Sequence, residues 1–370
     1  MATIGEGNLK MSEKSKIVYV EPADYFPREV RRECKLGEFA EDKNLSHLRA
    51  LMLGLAVGDA LGVPVEFSSR EELDKHPVTD MQGWGTYPVP EGTWSDDTSM
   101  ALATLDSLKD DKIDYNAIME KFVRWAHHDE YTATGRRFDI GGICHHAIES
   151  FVARGHTDAL LSGVDGETAN GNGSLMRIAP MAYYLWWKGY EEACAIEIIH
   201  NTSALTHAHM RSKIACGIYS FVLWELLRSP CKGSVLQGLT KARNFYRGQA
   251  ELTPYEDRLM KRIGRVFFLD EKAENLPMLS REEIRSTGYV VDTLEAAIWC
   301  IMTTNDYKSC VLTAVNLGED TDTVAAIAGS LAAILYGVDA IPAPWLTILQ
   351  NRVYIENLCR TTFECWQGVF

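Results

Sequence analysis

SHLRALMLGLAVGDALGVP, residues 46–64, is the stretch on which the fold turns. Ser46 reads as an N-cap, Leu48, Met52 and Leu55 keep helical spacing, and Gly54, Gly58 and Gly62 recur every fourth residue. Glycine weakens an isolated helix, so three of them on one face need a return in packing. The return is close approach, by another helix or by a ligand. Pro64 ends the element by disfavouring helix at Val63.

Helical patterns of the same kind are expected at 100–108, 115–127, 143–153, 175–187, 191–199, 211–227, 293–302, 307–315 and 324–335. Alternating strands are scarce, since Tyr289 to Val291 is too short to count. Gly or Pro punctuates the joins and no fixed-period repeat emerges. The expectation is a compact all-α domain over residues 46–370, a bundle of many packed helices, with 232–288 as a polar insert. Residues 1–45 read as an N-terminal extension: a tail with one strip on the core, or an arm docking a partner through Val18, Tyr19, Val20, Tyr25 and Phe26.

The chain has 370 residues, 46% hydrophobic and 24% charged, ordinary for a protein with a large core. Its formal net charge of -14 repels phosphate backbones, which argues against nucleic-acid binding; an anionic ligand needs a locally built site. The nine cysteines include no CxxC pair, and most of them, Cys216 and Cys300 among these, read as reduced core residues, not as a zinc site or a disulfide framework. No apolar leader or uninterrupted apolar run of about 20 residues is present, so a cytoplasmic protein without a membrane partner is expected.

The strongest chemical signal is a pair of acidic helix beginnings. Trp94-Ser95-Asp96-Asp97-Thr98 precedes one small-residue helix, and Asp320-Thr321-Asp322-Thr323 precedes another. Capping explains one such residue, or two, but not both runs. If the two beginnings converge, like charges about 4 Å apart repel by ~4 kcal/mol per pair even at a generous dielectric. Either the carboxyls stay protonated or cations neutralise them. Oxygen ligands without thiolate or imidazole select hard ions, Mg²⁺ first, Mn²⁺ next and Ca²⁺ third, and this many carboxylates suits two of them.

Asp59 falls inside an apolar helix, which is costly unless its carboxylate is paired or hydrogen-bonded, and Glu66 follows the Pro64 break, where it can reach into a cleft. Gly171-Asn172-Gly173-Ser174 leads into Leu175-Met176-Arg177, a glycine-rich turn whose N–H groups and helix dipole suit a diphosphate. His207 lies in Leu205-Thr206-His207-Ala208-His209, where an ordinary structural hydrogen bond is the plainer reading.

Together these motifs make the sequence resemble the ADP-ribosylglycohydrolase family, from about Leu48 to Gly337. Besides those quoted, the carriers are Phe138-Asp139-Ile140-Gly141, Thr287-Gly288-Tyr289-Val290-Val291-Asp292-Thr293-Leu294 and the run from Asn316 to Gly329. The resemblance implies an orthogonal helical bundle with a binuclear metal site, ligated by Ser95, Asp96, Asp97, Asp320, Asp322 and Thr323. It places Glu66 at the metal centre. Glu66 is then the first candidate general base and Asp97 the second, because Asp97 is already committed to a metal. Asp59, Phe138, Gly171, Asn172, Gly173, Ser174, Met176, Arg177, His207 and Tyr289 become the expected substrate-binding residues. The implied reaction is divalent-metal-dependent hydrolysis of mono-ADP-ribose from a protein side chain, arginine first. Competing readings are an immunity protein whose N-terminal extension occludes an ADP-ribosyltransferase toxin, an inactive ADP-ribose-binding or crystallin-like protein, and a two-metal phosphohydrolase. Ser95 departs from a common threonine, Glu319 from a common glycine, and Gly142 from a larger polar residue.

Overall fold

The computed structural model describes residues 42–247 and 279–368; the expected partner-binding arm, residues 1–45, lies outside them except for its last four positions. Among the described residues the architecture is all-α, with only isolated bridges between Val164 and His207 and between Gly171 and Tyr289.

The first helix, α1 (Lys43–Gly62), begins ahead of the expected start because Asp42, not Ser46, caps it, its carboxylate accepting from the Asn44 N–H. Buried residues run almost unbroken along it from Leu48 to Gly62. A helix apolar on every face belongs in a protein core or a membrane, and the length and composition of this one would suit either. Here its partner is α12 (Thr321–Tyr336), itself buried from Thr321 to Leu335.

The three glycines decide how the pair meets. A Cβ on Gly54 would lie 2.4 Å from Ala333 Cβ, one on Gly58 2.1 Å from Ala325 O, and one on Gly62 2.3 Å from Asp322 Cα. As the position climbs along α1 its contact descends along α12, so the helices are antiparallel and touch backbone to backbone. The close approach expected from the ridge is therefore made to a helix. Its consequence is positional: the end of α1 lies against the acidic beginning of α12.

Between them come α2 (Arg70–Lys75), α3 (Asp96–Ser107), α4 (Tyr115–His128), α5 (Gly142–Ala153), α6 (Ala179–Lys188), α7 (Glu192–Ala204), α8 (Met210–Arg228), α9 (Lys232–Arg247), α10 (Val290–Thr303) and α11 (Tyr307–Val315). The chain closes with α13 (Ala343–Ile348) and α14 (Arg352–Trp366). α4 shows the logic of the outer helices. Asp114 caps its start, Ile118, Met119, Phe122, Val123, Trp125 and Ala126 form its buried face, and Asp129 ends it in the left-handed region at φ 58°.

Two expectations need correction. The segment 232–288 is not wholly a polar insert, because α9 buries Val235, Leu239, Ala242 and Tyr246 and packs on α8. A Cβ on Gly238 would meet Val222 Cα at 2.5 Å, the close fit behind that contact. Residues 248–278 lie outside the described ones. The helix expected from Leu175 starts only at Ala179, since the N–H groups of Leu175 and Met176 turn back to Asn172 O at 2.7 and 3.0 Å.

Candidate functional site

The two acidic beginnings meet. Ser95 caps α3 by accepting from the Asp97 N–H at 3.4 Å, and its hydroxyl donates to Asp97 Oδ2 at 3.3 Å. Thr323, in the first turn of α12, donates to the same Asp97 Oδ2 at 3.3 Å. One carboxylate oxygen thus joins two helices more than 200 positions apart in the chain. Asp322 Oδ1 accepts from the Thr323 N–H at 2.8 Å, and Asn172 Nδ2 donates to Asp320 Oδ2 at 2.9 Å.

Asp97, Asn172, Asp320, Asp322 and Thr323 line a cavity of about 360 Å³ with Asp96, Glu66, Asp139, Gly141, Gly142, Cys144, Gly171, Gly173, Met176 and His207. Carboxylate oxygens of Glu66, Asp139 and Asp322 lie within 4.8 Å of one another. Glu66 Oε2, Asp97 Oδ1 and Asp320 Oδ1 are buried without a hydrogen-bond partner. Carboxylate oxygens do not stay desolvated and unpaired without cost, so three of them around one cavity fit hard cations well.

The electrostatics agree. Burial and then Asp139 push the Glu66 carboxyl up to about 8, and burial lifts Asp59 to about 6. Burial and neighbouring carboxylates also raise Asp96, Asp97 and Asp322 well above the ordinary range. A carboxyl raised in the folded state adds its full stability only below its unfolded value near 4, and loses it as pH rises through the folded value. The metal-free protein is therefore expected to lose thermal stability between about pH 6 and pH 8, the opposite of a chain held by ion pairs. Millimolar Mg²⁺ should restore it. A thermal melt in EDTA that is flat or rising across that range would contradict the clustered charges.

Each expected residue now has a place. Gly171, Asn172, Gly173, Met176 and His207 line the cavity, as do Asp96, Asp97, Asp320, Asp322, Thr323 and Glu66. Ser95 and Phe138 instead line a smaller cavity that shares Asp96 and Asp139 with the first. Asp59 is fully buried outside the lining; it accepts from Ser95 N at 2.9 Å, Thr98 N at 3.1 Å and Thr98 Oγ1 at 2.6 Å, so it anchors the start of α3 instead of meeting substrate. Ser174 is likewise buried, bonded to Ser203 at 2.9 Å, and Arg177 is buried against Phe122. Tyr289 pairs its backbone with Gly171 and lies with its ring 5.8 Å from the Arg211 guanidinium, outside the lining. The helix-dipole argument for the 171–174 turn fails, because the following helix starts at Ala179.

The turn needs Gly173, and the cluster Gly288, for reasons of space. A Cβ on Gly173 would meet Cys144 Sγ at 2.8 Å and His207 Cε1 at 2.9 Å, and one on Gly288 would meet Asp320 Oδ2 at 2.9 Å. Of the unusual positions, Glu319 sits at φ 64°, a conformation natural to glycine, while a Cβ on Gly142 would meet nothing within 4 Å.

Sequence reasoning passed over Asp139, Tyr87 and Cys144. Asp139 lies within a quoted motif, and a lone carboxylate ahead of Ile140-Gly141-Gly142 was its signal. Tyr87 gave none: it sits in an aperiodic loop, and its hydroxyl reaches Glu66 and Asp139 only through the fold.

A profile of the ADP-ribosylglycohydrolase family matches residues 40–369. ADP-ribosylarginine hydrolase Tri1 of Serratia proteamaculans is 34% identical over 324 residues, 87% of this chain and 80% of its own. The ADP-ribosyl-[dinitrogen reductase] glycohydrolase of Rhodospirillum rubrum is 31% identical, over 84% of this chain and 93% of its own. A solved structure, described as an ADP-ribosylglycohydrolase-related protein complex, superposes with a TM-score of 0.69 at 29% identity, covering 87% of this chain and 99% of that one.

Proposed function

Because the chain belongs to the ADP-ribosylglycohydrolase family, a metal-dependent one, we propose that it hydrolyses the N-glycosidic bond between ADP-ribose and an arginine side chain of a modified protein. The observation that carries this reading is the meeting of both acidic helix beginnings and the 171–173 turn in one cavity. The choice of arginine rests on the relatives named ADP-ribosylarginine hydrolase.

Two divalent cations, Mg²⁺ or Mn²⁺, fit the donor set of Asp96, Asp97, Asp320, Asp322 and Thr323, with the Ser95 hydroxyl hydrogen-bonded to Asp97; when bound they would neutralise the acids and acidify a coordinated water. Glu66 Oε2, unpartnered and facing the cavity, takes the proton from the attacking water. Asp97 is the weaker candidate for that task, since its Oδ2 is already held by Ser95 and Thr323. Asn172 spans Thr293 Oγ1 and Asp320 Oδ2, both at 2.9 Å, and so ties the turn to the acidic cluster. The bond breaks through an oxocarbenium-like transition state, where nearby carboxylates favour the developing positive charge.

No observation in the site favours the toxin-occluding role, which rests on the N-terminal extension. The retired-enzyme reading sits poorly with an acidic cluster kept whole at a cost in repulsion. Incubating proteins ADP-ribosylated on arginine or on serine with the enzyme and Mg²⁺, followed by mass spectrometry, tests the proposal. Free ADP-ribose released from arginine is the expected product. AMP would mean a phosphohydrolase, and release from serine alone would overturn the arginine assignment.

A further inference from the structure

We infer that Arg177, buried outside the cavity, is a positioning residue that acts through Thr206 to hold His207 as a neutral hydrogen-bond donor, its Nε2–H turned to the anionic part of ADP-ribose. The inference rests on the hydrolase reading above and adds what sets the polarity of the cavity.

The direction of each link follows from donor chemistry. Arg177 is fully buried, and its Nη2 donates to Thr202 O at 3.2 Å and to Thr206 Oγ1 at 2.8 Å. A guanidinium has no lone pair to accept with, so the Thr206 hydroxyl is the acceptor in that bond and keeps one proton to give. Thr206 Oγ1 lies 2.9 Å from His207 Nδ1. The other group within its reach is the Cys144 thiol, which burial keeps protonated by pushing it up to about 12. An imidazole nitrogen is a far better acceptor than a neutral thiol. Thr206 therefore donates to Nδ1, and the ring proton stands on Nε2. The positive charge of Arg177 acts in the same sense, because it favours a lone pair over a proton on the side of the ring it approaches. Burial first, and Arg177 second, push the imidazolium form down to about 3, so the ring stays neutral.

The free end of the ring faces the ligand. His207 lines the cavity, and a Cβ on Gly171 would lie 3.5 Å from Nε2, so this nitrogen looks onto the glycine turn.

Packing alone does not account for Arg177. Its Nε and Nη1 have no partner, its guanidinium lies 4.7 Å from the Phe122 ring centre, and among the described residues no carboxylate pairs with it. A buried cation without an anionic partner is expensive, and an apolar side chain of similar length would fill the space at less cost. The charge has a use in a chain of net charge -14, whose overall field opposes an anionic ligand. Held behind Thr206 and His207, it makes the turn end of the cavity positive while the acidic cluster serves the cations.

The full-length protein with bound Mn²⁺ tests this through Arg177→Met, Arg177→Lys and Thr206→Val. Calorimetry should show ADP-ribose bound about tenfold more weakly or worse by Arg177→Met and Thr206→Val, with partial recovery in Arg177→Lys. Affinity for Mn²⁺ should stay within about twofold, and the melting temperature of Arg177→Met should not fall. Imidazole ¹⁵N spectra of the protein loaded with diamagnetic Mg²⁺ in place of Mn²⁺ should show the Nε2–H form of His207 in the parent and a mixture in Thr206→Val. An Nδ1–H form in the parent would overturn the inference. So would unchanged ADP-ribose affinity in both Thr206→Val and Arg177→Met, or a joint loss of melting temperature and Mn²⁺ affinity in both. The spectra are read without ADP-ribose, so a parent that binds no ADP-ribose would count against the hydrolase reading and leave the tautomer result standing.

Discussion

Asp97→Asn should cut hydrolysis at least about a thousandfold while leaving the metal-free protein more stable than the parent, by several degrees at pH 8. The two effects come from one property of the side chain. Asp97 is buried among Asp59, Asp96, Asp320 and Glu66, all of which raise its proton affinity on top of burial. Without cations it is a liability, since each like-charged pair about 4 Å apart costs ~4 kcal/mol at an effective dielectric near 20. Asparagine has the same shape and can still accept from Ser95 and Thr323 through one oxygen, so the junction between α3 and α12 survives. It lacks the charge that offsets two cations, and losing ~4 kcal/mol of transition-state stabilisation corresponds to the stated loss of rate. Thermal melts in EDTA and steady-state release of ADP-ribose read the two effects separately. If stability fell together with activity, Asp97 would be acting as a structural cap, and the account of the cluster would be wrong.

How much of this was legible beforehand depends on the range over which each signal acts. The helices were legible because period and punctuation are local, and α1 most of all, since Gly54, Gly58 and Gly62 reported a packing event as well as a conformation. The acidic beginnings were legible as chemistry because Ser95-Asp96-Asp97 and Asp320-Thr321-Asp322 exceed what capping requires. Their meeting was legible only through the family resemblance and not from the residues themselves, because the antiparallel registry of α1 on α12 is a property of two helices. Asp59 and Arg177 were misplaced for a related reason. Each lies in a motif that also holds cavity residues, Met176 beside Arg177 for one, and helix or turn geometry sends neighbours in opposite directions. Motif membership says that a residue matters near the site; it does not say which side of the chain it faces. The start of α6 was set too early because the backbone folds back on Asn172, a turn that hydrophobic spacing over Leu175 and Ile178 does not distinguish from a helical one.

Gly62→Ala is expected to weaken divalent-ion binding about a hundredfold, although it adds a single methyl group to a residue that binds no ion. The added Cβ would lie 2.3 Å from both Asp322 Cα and Asp322 N, and 2.5 Å from Thr321 C. All three are backbone atoms, so no rotamer change relieves the overlap and α1 and α12 must separate by about an ångström, at ~1–3 kcal/mol. The gain from a stiffer unfolded chain, ~0.5–1 kcal/mol, recovers only part of that. Separation at this point carries Asp322 and Thr323 away from Asp97, and a metal site tolerates ligand errors of only a few tenths of an ångström. Gly54→Ala supplies the control, since its Cβ would clash as badly, 2.4 Å from Ala333 Cβ and 2.5 Å from Gly329 O. That clash falls about 12 Å further down the helix, however, and leaves the acidic beginnings where they are. Both variants should melt earlier than the parent, and only Gly62→Ala should lose Mn²⁺ affinity by titration calorimetry. Equal losses in the two would mean that the ridge supports the fold in general, with no special hold on the catalytic end.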